Sequence, residues 1–100
     1  MDAETTWLRD RVVEFLGVLQ DCLGETNYTQ DRVAFTQDVV AAASWIVDLH
    51  RGRSADSVKA EILAPQTDKT FGDYYRQGEW GRRSSDALQA LRDAVRLRNM

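Results

Sequence analysis

Leu8, Val12, Phe15, Leu16, Leu19, Cys22 and Leu23 recur at spacings of three and four residues. That period places them on one stripe of an α-helix and is incompatible with the two-residue alternation of a half-buried strand. The pattern then repeats. In "QDRVAFTQDVVAAASWIVDLHRG", Phe35, Val39, Ala42, Ile46 and Leu49 form one stripe, and Val33, Val40 and Val47 form a second read as lying beside it. So wide an apolar arc predicts that this second helix is the central, most buried element. Val58, Ile62 and Leu63 mark a short third helix, and Leu88, Leu91 and Val95 mark a last one. No segment shows β alternation and no unit repeats at a fixed period. The expected fold class is therefore all-α: a small helical bundle with three main helices plus one or two short helices.

End signals divide the segments. Thr5 or Thr6 is placed to cap the first helix, Thr29 the second, Ser54 the third, and Ser84 or Ser85 the last. Gly24 and Gly52 suit the left-handed position that closes a helix, and Pro65 stops the third. The link "ETNYT" is short, so the first two helices should form an antiparallel hairpin. A chain of 100 residues corresponds to one domain, residues 1–100.

"TFGDYYRQGEWG", residues 70–81, holds four of the nine aromatic residues and three of the six glycines. Thr70 as a cap and Gly78 as a stop predict a short helix with Phe71, Tyr74 and Tyr75 on one side and Trp80 just beyond. Two roles are open to it. The aromatic residues cover the open end of the bundle, or they form an exposed cluster of the types enriched at binding hot spots. Tyr74, Tyr75, Arg76, Trp80 and Arg82 are the candidates for that second role.

Charge adds a second candidate surface. The net charge is −3, but residues 1–48 carry nine acids against three arginines, while residues 49–100 carry seven acids against ten basic residues. Asp10, Glu14, Asp31 and Asp38 on the first two helices are placed to face a basic partner. Arg51, Arg53, Lys59, Arg76, Arg82 and Arg83 are the residues a nucleic-acid contact would use, against which the acidic balance argues.

Chemistry beyond binding finds no support in the residue pattern. Cys22 and His50 are each single, no carboxylates stand beside them at ligand spacing, and no phosphate-loop motif is present. The reading is of a non-catalytic chain without metal or cofactor. One cysteine excludes an internal disulfide. The acidic start "MDAETTW" is unlike a signal peptide, and no apolar run approaches the ~20 residues of a membrane span. The expectation is a cytoplasmic protein. In size, acidity and lack of catalytic groups the chain resembles bacterial immunity proteins and phage-coded inhibitors as a class. That resemblance implies a protein partner, such as a toxin or nuclease, neutralised by surface complementarity. The alternatives are a helical homodimer or assembly subunit, and a regulatory nucleic-acid-binding module.

Overall fold

The computed structural model describes residues 1–71 and 78–99, the side chain of Lys69 excepted. The expected helix over residues 70–77, with Tyr74, Tyr75 and Arg76, lies largely outside the described residues. Among the described residues there are five helices and no strand, in keeping with the all-α expectation.

Helix α1 runs Ala3–Glu25 and buries Leu8, Val12, Phe15, Leu19 and Cys22, as the three-and-four spacing dictates. Its cap is Asp2, not Thr5 or Thr6: the Asp2 carboxylate accepts the Thr5 N–H at 2.7 Å. A carboxylate suits this place because it meets both an orphan donor and the positive end of the helix dipole. The Thr5 N–H accordingly holds the Asp2 carboxyl below its ordinary value of 3.8. Gly24 does not close the helix. It lies inside the last turn, and Thr26 ends α1 in an extended conformation.

Helix α2 runs Thr29–His50. Its cap position is Tyr28, with Thr29 already the first helical residue. The hairpin is tied by Arg32, whose guanidinium donates to the Leu23 carbonyl at 3.2 Å and the Thr26 carbonyl at 3.4 Å. These are carbonyls that the end of α1 leaves without a helical partner. The core face of α2 carries Ala34, Phe35, Ala42, Trp45 and Leu49. The second stripe is not beside this face but opposite it. Val33, Val40 and Val47 are 53%, 62% and 44% exposed, so α2 is not the buried central helix. The reason is geometric. Each of these valines is two residues before Phe35, Ala42 or Leu49, which is about 200° around a helix of 3.6 residues per turn. Only one of two opposite lines can face the core. Helix α1 takes the central place instead, packing against α2, α3 and α5.

Gly52, at φ +97°, turns the chain out of α2 as expected. Helix α3, Ala55–Leu63, is capped by the Ser54 hydroxyl, which accepts the Ser57 N–H at 3.1 Å. Helix α4 is the short turn Gln66–Thr70, so Thr70 ends a helix where it was expected to begin one. Phe71 then inserts into the core at 5% exposure, edge-on to Phe15 at 5.2 Å and tilted against Trp45 at 5.4 Å.

Helix α5 runs Gly78–Arg98 and starts six residues before Ser84. Ser84 is not a cap. It is buried within the helix, and its hydroxyl donates to the Gly81 carbonyl at 2.9 Å, which satisfies it without ending the helix. Gly81, Ser84, Leu88, Leu91 and Val95 continue one buried line at spacings of three and four. Gly81 therefore belongs to the helix rather than to a turn before it.

Two buried cations fasten these elements. Arg92 donates to the Ile62 carbonyl at 3.0 Å and the Ala64 carbonyl at 3.2 Å, and it pairs with Asp68. One side chain of α5 thus satisfies the carbonyl end of α3 and holds α4. Lys59 of α3 is 5% exposed, pairs with Glu4 of α1, and donates to Asn99 at 3.3 Å. Arg98 shares Glu4 at 3.1 Å, and both cations lie over the Trp7 ring, at 5.9 Å for Lys59 and 5.0 Å for Arg98.

Candidate protein-binding surface

The four acids expected to form one face are divided by the fold. Asp31 and Asp38 are buried, at 6% and 1% exposure, so neither stands on an acidic outer surface. Both lie on the core side of α2: Asp31 is four residues before Phe35, and Asp38 is three after it and four before Ala42. The Asp31 carboxylate accepts the Thr26 hydroxyl at 3.5 Å, which ties it to the hairpin turn. Asp10 and Glu14 remain exposed on α1, paired with Arg9 at 3.1 Å and Arg11 at 2.9 Å. Such exposed pairs contribute about 0–1 kcal/mol and reduce the charge on offer to a partner.

The aromatic candidates are also divided. Trp80 is half-buried and packs against the core; Arg83 stacks over its ring at 5.2 Å. The Trp80 carbonyl lies 3.8 Å from the Cys22 sulfur, where α5 crosses α1. Arg82 is exposed. Tyr74, Tyr75 and Arg76 lie outside the described residues.

Residues with chemical potential do not converge. Cys22 is buried near the end of α1, while His50 is exposed at the end of α2, at the other end of the hairpin. No metal-binding group of three His, Cys, Asp or Glu occurs among the described residues. A groove of about 760 Å³ separates the start of α1 from the α2–α3 connection and is bordered by Asp2, Glu4, Arg9, His50, Arg53 and Asp56. Four of these are committed within the fold. Asp2 caps α1, and Arg9 pairs with Asp10. Hydrogen bonds from Lys59 and then Arg98 hold the Glu4 carboxyl below its ordinary value of 4.5. Arg53 binds Glu61 and Asp48, which raise its affinity for the proton above the ordinary arginine value. With these four side chains already engaged by neighbours around the groove, little of its charge is left to select a ligand.

The outer face of α2 has a different character. From residue 33 to residue 47 the only charged side chain on this helix is the buried Asp38. The outward line is Val33, Val40 and Val47, flanked by Thr36, Gln37, Ala43 and Ser44. Its hydroxyls are turned back into the helix: Thr36 donates to the Arg32 carbonyl at 2.7 Å and Ser44 to the Val40 carbonyl at 2.9 Å. Covering this face would strand neither hydroxyl proton, so its desolvation cost is low. The signal is present in the sequence as a strict seven-residue valine spacing, but apolarity alone does not say which line the bundle covers.

No family model, curated protein or solved structure matches this chain. No helix among the described residues is long and apolar enough to cross a membrane.

Proposed function

We propose that this chain is a non-catalytic protein-binding module whose contact surface is the outer face of α2. The observation that carries the reading is the exposed valine line, 53%, 62% and 44% accessible at Val33, Val40 and Val47, on a face with no exposed charge between them. Monomers tolerate single exposed apolar residues, whereas apolar side chains aligned along one helix face, on a surface without charge, are the raw material of the larger contiguous patches that mark interaction sites. The lack of basic residues on this face speaks against a polyanion as its occupant, because phosphate contacts need Lys or Arg. The reading keeps a protein as the partner and moves the contact from the acids to the valines. Neutralising a basic toxin or nuclease has less support than the sequence suggested, since Asp31 and Asp38 are buried.

The test is a photo-crosslinking residue placed at position 40 in cells that make the protein, with position 85, exposed on α5, as the control. Protein adducts at position 40 and none at 85 are expected. Absence of any adduct at 40 would remove this face from consideration.

A further inference from the structure

We propose that the occupant of this face is a second copy of the chain, so that two α1–α2 hairpins stack about a two-fold axis as an antiparallel four-helix bundle. The inference rests on the binding reading above and deepens it by naming the partner.

The outer face is self-complementary under that symmetry. Val33 and Val47 are each seven residues from Val40. An antiparallel pairing centred on Val40 therefore sets Val40 against its counterpart and Val33 against the partner subunit's Val47. Helix α1 lies beside α2 in a register fixed by Arg32, which bonds the Leu23 and Thr26 carbonyls. Counting eight residues on from Arg32 and eight back from Leu23 puts residue 15 level with Val40. Val13 and Gly17 are each two residues from buried Phe15, about 200° around the helix, and so point outward. Val13 is 48% exposed, and a Cβ built at Gly17 would meet nothing within 4 Å. The same axis brings each Val13 over the partner subunit's Gly17, a knob against an open hole. At the rim, Arg9 and Asp21 are each six residues from the centre and opposite in sign, so the axis carries each toward its opposite, with Arg9 shared between Asp10 of its own chain and the partner subunit's Asp21. Asp21 makes no ion pair within the described residues.

The size of the face fits as well. A stable interface covers about 800 Å² per partner. Twenty-two residues at 1.5 Å give α2 a length of about 33 Å, and one helix about 10 Å wide offers only about 330 Å² in projection. Two helices with axes 8–10 Å apart offer about 600 Å² in projection, and more once the relief of the side chains is followed. Helix α2 alone is too narrow; the hairpin is wide enough.

The test combines mass in solution with register. Sedimentation equilibrium should give twice the 11.4 kDa of one chain at high concentration, falling on dilution. Val40→Asp should raise the dissociation constant at least about tenfold, some 1.4 kcal/mol. Its circular dichroism should be unchanged, because the site is exposed. Under mild oxidation Val40→Cys should link to its counterpart, since facing Cα atoms of adjacent antiparallel helices fall within disulfide range. Val33→Cys should link to Val47→Cys in a mixture but not to itself. A wild-type chain that is monomeric at every concentration overturns the proposal, and so does Val33→Cys linking to itself as readily as to Val47→Cys. The two readings fail differently. Adducts of a different protein at position 40, with a monomeric chain, remove the second copy and keep the binding face. A monomer with no adduct removes both.

Discussion

Replacing Arg92 with Met should be among the most damaging single changes in this protein, although the residue belongs to no proposed contact surface. Arg92 is 8% exposed and donates to the carbonyls of Ile62 and Ala64 at 3.0 and 3.2 Å. Both lie at the end of α3: the Ile62 carbonyl is met there by Arg92, while the Ala64 carbonyl also accepts the Thr67 N–H at 3.0 Å, so loss of Arg92 strands the Ile62 carbonyl and weakens the bonding of the other. Methionine fills much of the volume but donates nothing. Each hydrogen bond from a charged donor is worth about 1.5–3 kcal/mol, and each stranded buried carbonyl costs about 1–3 kcal/mol. The two statements describe the same loss and do not add. The apolar gain from methionine offsets part of it, so about 3 kcal/mol remains for the pair of bonds. The third partner, Asp68, is 64% exposed at its side chain and would simply hydrate, so Asp68→Ala should cost less than about 1 kcal/mol. Urea unfolding followed by circular dichroism measures both. For a 100-residue domain, 3 kcal/mol out of roughly 5–15 corresponds to a fall in Tm of roughly 12–24 °C. Arg92→Lys should recover only part, because an ammonium cannot span both carbonyls as the planar fork does. If Arg92→Met and Asp68→Ala cost the same, or if Arg92→Met costs under 1 kcal/mol, the fastening of α3 by these carbonyl bonds is refuted.

Further outcomes follow from single contacts. The folded-state values of Glu4 and Asp2 lie below the ordinary 4.5 and 3.8, so their contribution is present above those values and lost as pH falls through the depressed ones. Unfolding free energy should therefore decline from about pH 5 downward, and Glu4→Gln should flatten that decline; an unchanged slope would remove Glu4 as its source. Gly24 and Gly52 should respond oppositely to alanine. Gly24 lies inside α1 with nothing within 4 Å of a new Cβ, so Ala should stabilise by about 0.5–1 kcal/mol, whereas Gly52 at φ +97° should lose about 1 kcal/mol or more. Denaturant midpoints decide this, and equal shifts would contradict the assigned ends of α2 and α1. Trp80→Ala should cost about 2 kcal/mol of stability, since half of a large aromatic packs on the core; a stability change near zero would return Trp80 to the list of projecting anchors.

The class of the fold was legible because it rests on period. Three-and-four spacing requires helices, and the short polar link between the first two requires a hairpin. Strong local signals held as well: Ser54 caps α3, and Gly52 takes the left-handed turn after α2. Weaker ones lost to competition. Asp2 outcompeted Thr5 and Thr6 because an ionised acceptor gains more from the helix dipole. Ser84 was absorbed into α5 because its hydroxyl could bond back to Gly81 while the buried line continued past it.

Sequence by itself determined that the chain folds as helices, roughly where they run, and that α2 carries two apolar lines. Tertiary structure alone decided which of those lines is core. Phe35, Ala42 and Leu49 turn inward, and with them go Asp31 and Asp38, whose charge alone would favour the solvent side. The valines are left in water. The cause is that periodicity fixes the angle between residues on one helix, while the direction of the core depends on what the other helices bring to it. Here the large partners, Phe15 from α1 and Phe71 after α4, with Trp45 of α2 itself, meet on the side of α2 away from Val40. No single-helix pattern contains that information.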